Sequence, residues 1–143
     1  VIDKILSAQP EAKYVFFLGD NVDDLDDFEI LYPDKIFFKV CGNCDYFSNA
    51  PTVGFEVLNG VRIFYTHGHT FNVKSGTERL LQKAREENYN IVLYGHTHIA
   101  KTLYVDGIHI VNPGSCSSPR EGKPSYAVID ITESGIMPII IEI

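Results

Sequence analysis

The chain has 143 residues, of which 45% are hydrophobic and 22% charged, and a net charge of -7. That length suits one domain, residues 1–143, with its own core, and the composition is that of a globular rather than a disordered or fibrous chain. An acidic chain with no Lys/Arg cluster is a poor candidate for gripping a nucleic-acid backbone, and no apolar run is long enough to span a bilayer.

The sequence opens at Val1, and Ile2, Ile5 and Leu6 have the spacing of a buried helix face. Nothing ahead of them caps that helix, so the sequence is expected to start inside one, with a preceding segment and a first strand missing. Residues 14–18 read as a strand and lead into Gly19-Asp20-Asn21-Val22-Asp23. Residues 22–31 read as a short acidic helix that ends before Pro33. Residues 36–40 form the next strand and lead into Gly42-Asn43-Cys44-Asp45. Residues 53–58 and 61–65, joined by Asn59-Gly60, predict a hairpin whose turn uses positive φ. Ser75 with Glu78 has the form of a capping box ahead of a helix with Leu80, Leu81 and Ala84 on one face. Residues 91–94 are a buried strand, and Asp106-Gly107 joins a second hairpin, residues 102–105 and 108–111. Asn112-Pro113-Gly114-Ser115 is a break, residues 116–124 are a loop, and residues 126–131 and 136–143 are the last strands. The early alternation of strands and helices followed by hairpins predicts an α/β (α+β) fold. Two packed mixed sheets are expected, flanked by helices in an αββα sandwich.

Four strand ends carry the chemistry. The first two deliver Asp20 and Asn43, and the next two deliver Thr66-His67-Gly68-His69 and Gly95-His96-Thr97-His98. Ligands gather outside the carboxyl ends of strands in open α/β sheets. Carboxylate, amide oxygen and imidazole together suit a first-row divalent metal. Each residue has a plainer reading alone: Asp20 as a helix N-cap, Asn43 as an Asx-turn residue, His67 and His96 as hydrogen-bonded core residues. Four such ends in one short chain favour the shared site. His109 lies mid-strand in a hairpin and reads as structural. Cys41, Cys44 and Cys116 make no disulfide framework, which predicts a reducing, cytoplasmic setting. The Cys41-Gly42-Asn43-Cys44 spacing lacks the context of a thioredoxin motif or a second zinc-binding pair.

Gly19-Asp20-x-x-Asp23, Gly42-Asn43-x-Asp45, His67-Gly68-His69 and Gly95-His96-Thr97-His98, in that order, resemble the calcineurin-like metallophosphoesterases. The Gly-Asn-Cys-Asp form, with Asn112-Pro113-Gly114-Ser115 downstream, resembles their small single-domain bacterial and archaeal branch, which includes the retromer subunit Vps29. The resemblance implies a phosphoesterase acting on phosphodiesters or activated phosphomonoesters through a metal-bridging hydroxide. It implies two divalent metal ions, Mn foremost, with Fe, Ni, Zn or Mg as alternatives. Asp20 would bridge both metals; Asn43, His67 and His96 would complete one, and His98 would belong to the other. Asp45 would orient a ligand. His69 either faces the substrate phosphate or backs a ligand. Arg120 is either a phosphate contact or a solvated surface residue.

Two departures stand out. The family's first motif, Asp-x-His on an N-terminal strand, is absent from this sequence, which leaves one metal with few ligands. Cys44 stands where many diesterases of the family have His, and a thiol is poorly suited to protonating an alkoxide. These departures support an alternative: a catalytically weak or inactive Vps29-like scaffold that binds a protein partner. A metallo-β-lactamase-like reading fails, because Thr70, Phe71 and Asn72 follow His69. The expected partner is a small phosphate ester, and an incompletely covered sheet edge predicts a homodimer.

Overall fold

A computed structural model describes residues 2–19, 26–42, 50–117 and 119–143. The described elements run in chain order as α1 (Ile2–Ala8), β1 (Tyr14–Phe17), α2 (Asp26–Leu31), β2 (Ile36–Lys39), β3 (Val53–Leu58), β4 (Val61–Thr66), α3 (Glu78–Glu87), β5 (Ile91–Leu93), β6 (Lys101–Val105), β7 (Ile108–Asn112), β8 (Ser125–Thr132) and β9 (Gly135–Glu142). Short 3-10 turns at His69–Phe71 and Val73–Ser75 lie between β4 and α3.

A five-stranded mixed sheet in the order β3-β4-β5-β7-β6 is the centre of the molecule. Its middle strands β4, β5 and β7 run parallel. The hairpins β3-β4 and β6-β7 close its two sides. Both hairpins turn as their sequences predict: Asn59 and Gly60 have φ of 52° and 78°, and Asp106 and Gly107 have 52° and 79°.

Side chains alternate across the pleat, so each central strand feeds two cores. Phe64, Val92, Tyr94, Ile108 and Ile110 face Leu80 and Ala84 of α3. Ile63, Tyr65, Ile91, Leu93 and Val111 face the other way. There they meet Phe16 and Leu18 from β1 and its end, Phe38 and Val40 from β2 and its end, and Ala127, Ile129 and Ile140 from β8 and β9. The second layer therefore consists of two described ladders, parallel β1-β2 and antiparallel β8-β9. Gln9 Nε2 donates to the Tyr126 hydroxyl at 3.1 Å and links the chain after α1 to β8. Burial on both faces explains why β5 reads as an unbroken apolar run.

One local expectation is corrected. Ser75 caps no α-helix, because it lies within a 3-10 turn, and Thr77 occupies the N-cap of α3 without a side-chain cap bond. The Ser75 amide instead donates to the Asn72 carbonyl at 3.0 Å, so the short turn displaces the capping box. The acidic helix is described from Asp26 to Leu31, and residues 22–25 lie outside the described residues.

Leu80 is fully buried beneath the sheet, at 0% exposure. Leu80→Ala is expected to lower unfolding stability by about 3 kcal/mol, read from the urea midpoint. Tyr65 yields a second expectation. Burial first, and then the charge and hydrogen bond of Glu56, push its hydroxyl up from 10.0 to about 12. The unfolded chain then loses this proton first. Stabilisation by neutral Tyr65 is complete below the unfolded value of 10.0 and disappears as pH rises through about 12. Urea unfolding across that window should show a smaller alkaline loss for Tyr65→Phe than for the unaltered protein.

Candidate metal centre

The site lies where the strand ends meet. Leu18 and Gly19 follow β1, Gly42 lies beyond β2, His67 follows β4, and Gly95 to His98 follow β5. Gly19 has φ of 110°, and a Cβ there would stand 2.5 Å from His67 Nδ1 and 2.8 Å from the Gly42 nitrogen. Only glycine permits that approach without a shift. A Cβ on Gly95 would lie 3.5 Å from the Leu18 Cβ and 3.8 Å from His67 Nδ1. Four strand ends thus close around one imidazole.

His67 is buried at 2% exposure. Its Nδ1 lies 2.6 Å from the Leu18 carbonyl oxygen. A carbonyl only accepts, so Nδ1 carries the proton and donates. That bond sets the tautomer and leaves the Nε2 lone pair directed toward His96. His67 Nε2 and His96 Nδ1 stand 3.0 Å apart. The Gly95 amide donates to the His67 carbonyl at 2.9 Å and ties the two histidine segments together through the backbone.

His96 and His98 have φ of 68° and 59°, both in the left-handed region. The chain therefore turns sharply through Gly95-His96-Thr97-His98. The His69 ring centroid lies 5.4 Å from that of His67 and 6.2 Å from that of His96. His69 Nδ1 is buried and has no hydrogen-bond partner among the described residues. A buried unsatisfied nitrogen is costly and calls for a polar ligand. The Arg120 amide donates to the His98 carbonyl at 3.1 Å, which brings residues 119–120 against the same turn, while Arg120 itself is exposed.

His67, His69 and His96 come together, and His98 joins them through the chain. Asp20, Asn43, Cys44 and Asp45 lie outside the described residues. Among the described residues, no group of three or more His, Cys, Asp or Glu is arranged to hold a metal ion. The 3.0 Å between His67 Nε2 and His96 Nδ1 is a hydrogen bond in this structure, and the same spacing is compatible with two ligands of one cation. Two imidazole nitrogens bound side by side to one ion, at about 2.1 Å each, stand roughly 3 Å apart.

The sequence reading assigned Asn112 no role in the site, only a place in a break and in the family motif. It is fully buried at the end of β7, and its Nδ2 donates to the Gly95 carbonyl and to Thr97 Oγ1 at 3.2 Å and 2.9 Å. Its signals in the sequence are an amide before Pro113 at the close of a strand and its place in the Asn-Pro-Gly-Ser motif of the family resemblance. His109 matches its structural reading. It packs on Tyr104 with ring centroids 4.4 Å apart, and burial pulls its pKa down. Burial pushes the Cys116 thiol up, which favours its neutral form.

The fold and these histidine turns define a phosphoesterase-type domain. The chain belongs to the calcineurin-like phosphoesterase superfamily, whose domain model matches residues 1–134. It is 36% identical over 100 residues to phosphodiesterase YfcE of Escherichia coli K12, covering 64% of this chain and 50% of that protein. It is 35% identical over 94 residues to vacuolar protein sorting-associated protein 29 of Schizosaccharomyces pombe, covering 66% of this chain and 48% of that protein. The chain thus spans about half the length of these curated relatives. The crystal structure of a predicted phosphoesterase from Streptococcus pneumoniae TIGR4 superposes with a TM-score of 0.83 at 28% identity, over 99% of this chain and 80% of that one. No helix among the described residues is long and apolar enough to cross a membrane.

Gly19→Ala tests the convergence. The added methyl is expected to break the bond from His67 to Leu18. The low-field His67 Hδ1 resonance should vanish and the thermal midpoint should fall by several degrees. Retention of both would show that the strand ends are less closely packed than described.

Proposed function

We propose that this protein is a divalent-metal-dependent phosphoesterase acting on phosphodiesters or activated phosphomonoesters. The observation that carries the reading is the 3.0 Å approach of His67 Nε2 and His96 Nδ1, with His67 Nδ1 occupied by the Leu18 carbonyl. A neutral imidazole with its second nitrogen so engaged is the form that ligates metals. Family membership and the likeness to a protein named phosphodiesterase support the same reading.

In this reading Asp20 would serve both of two cations, Asn43, His67 and His96 would hold one of them, and His98 would contribute to the other. Bound cations would supply Lewis-acid charge for the phosphoryl oxygens and for an attacking water. Mn²⁺ is the first choice. His67 is held rigidly by its carbonyl bond, and the buried His69 Nδ1 offers a polar contact to a phosphate oxygen. Arg120 stands on the segment joined to His98, where its guanidinium can meet the same anion. Asp45 would orient a ligand, and with Cys44 in the sequence the proposed site would lack an imidazole acid at that position. With a net charge of -7, the favoured substrate is a small phosphate ester rather than a nucleic-acid backbone.

The likeness to protein 29 of the vacuolar sorting machinery supports a second reading, a scaffold that binds a protein partner without turnover. The test is hydrolysis of bis-p-nitrophenyl phosphate with Mn²⁺, with and without a chelator. The enzyme reading expects chelator-sensitive turnover that His96→Ala lowers at least about 100-fold, in the range seen when a group that stabilises transition-state charge is removed. Undiminished hydrolysis by His96→Ala would sink the assignment. Absence of Mn²⁺-dependent turnover in the unaltered protein would favour the scaffold.

A further inference from the structure

The motif Asn112-Pro113-Gly114-Ser115 has no part in the proposed chemistry, yet its first residue reaches the site. We propose that Asn112 is a positioning residue for the metal-binding histidines, holding the turn that carries His96 and His98 through Gly95 and Thr97. This inference rests on the reading of the site as a metal centre.

The turn places two alternate residues in the left-handed region. His96 and His98 both adopt positive φ, a region few residues other than glycine take, although His enters it more readily than most, as do Asn and Asp. Such residues persist where their surroundings over-determine them. Asn112 supplies that restraint. One Nδ2 proton goes to the Gly95 carbonyl at 3.2 Å and the other to Thr97 Oγ1 at 2.9 Å. The residue before His96 and the residue between the two histidines are therefore held by one amide group. Thr97 Oγ1 also accepts the Ile99 amide at 3.2 Å, and the Thr97 amide donates to the Gly95 carbonyl at 2.8 Å.

The anchor is itself fixed. Asn112 is 0% exposed and pairs with Lys101 across the β6-β7 ladder. Its Oδ1 accepts the Gly114 amide at 2.9 Å, so the side chain cannot rotate without losing bonds at both ends. Behind it, Ser125 Oγ donates to the Pro113 carbonyl at 2.8 Å and ties the break to the start of β8. A Cβ on Gly114 would overlap that same Ser125 Oγ, which leaves the segment no room to drift. The position of His96 Nδ1 relative to His67 Nε2 thus depends on the bonds from Asn112 to Gly95 and Thr97.

The test compares the intact chain with Asn112→Ala, Thr97→Val and Thr97→Ser. Thr97→Val keeps the shape of the side chain and removes the acceptor, so it tests the link even if Asn112→Ala folds poorly. Two readouts are taken: Mn²⁺ affinity by calorimetry, and amide hydrogen exchange at Gly95 and Thr97 in metal-free protein. Asn112→Ala and Thr97→Val are each expected to weaken Mn²⁺ binding by about tenfold or more and to speed exchange at Thr97. Thr97→Ser should restore both. At saturating Mn²⁺ the loss should fall on kcat, with KM within about twofold. Unchanged affinity and exchange in Thr97→Val would overturn the proposal. So would an affinity loss that merely follows the melting temperature and is not restored in Thr97→Ser. If the unaltered protein takes no Mn²⁺, the metal reading fails separately, and the exchange rates alone decide whether Asn112 holds the turn.

Discussion

The hydrogen bond from His67 Nδ1 to the Leu18 carbonyl joins residues 49 apart in sequence, at 2.6 Å. Its net contribution to stability is modest, about 1 kcal/mol for an ordinary bond of this kind. Its consequences are larger, because His67 is buried and an unpaired ring N–H there would carry the full desolvation penalty. The bond fastens the end of β4 in the five-stranded sheet to the end of β1 in the facing layer. It sets which nitrogen of His67 can act as a ligand. It also brings the backbone so close that the residue after Leu18 has no space for a side chain, which is why Gly19 stands there.

That bond holds its geometry because the sheet beneath it is packed on both faces. Phe64 and Val92 enter one core with Leu80 and Ala84, while Ile63, Tyr65, Ile91 and Leu93 enter the other. Strands fixed from both sides present their ends rigidly, and the turn beyond β5 takes left-handed conformations at His96 and His98. The same architecture serves relatives named as a phosphodiesterase and as a vacuolar sorting protein. Fold alone does not separate these roles.

Local chemistry was readable without the structure. Asn59-Gly60 and Asp106-Gly107 form the expected hairpin turns, since positive φ is a property of those residues themselves. Histidine after an apolar run marked the ends of β4 and β5 for a similar reason: the run ends where the buried strand ends. Ser75 shows the limit of such reading, because a cap signature cannot tell that a 3-10 turn will take the same residues. Asn112 shows another limit, since its partners at Gly95 and Thr97 belong to a different strand end.

By itself the sequence determined most element types, the hairpin turns and the family, and it named candidate ligand residues, because these follow from periodicity, turn chemistry and short motifs. Only the tertiary structure decided that His67 Nε2 and His96 Nδ1 meet at 3.0 Å, that Leu18 sets the His67 tautomer, and that Asn112 reaches the histidine turn. These contacts join separate strand ends. Their geometry comes from how the two layers pack through shared buried side chains, and no local pattern in the chain encodes that distance.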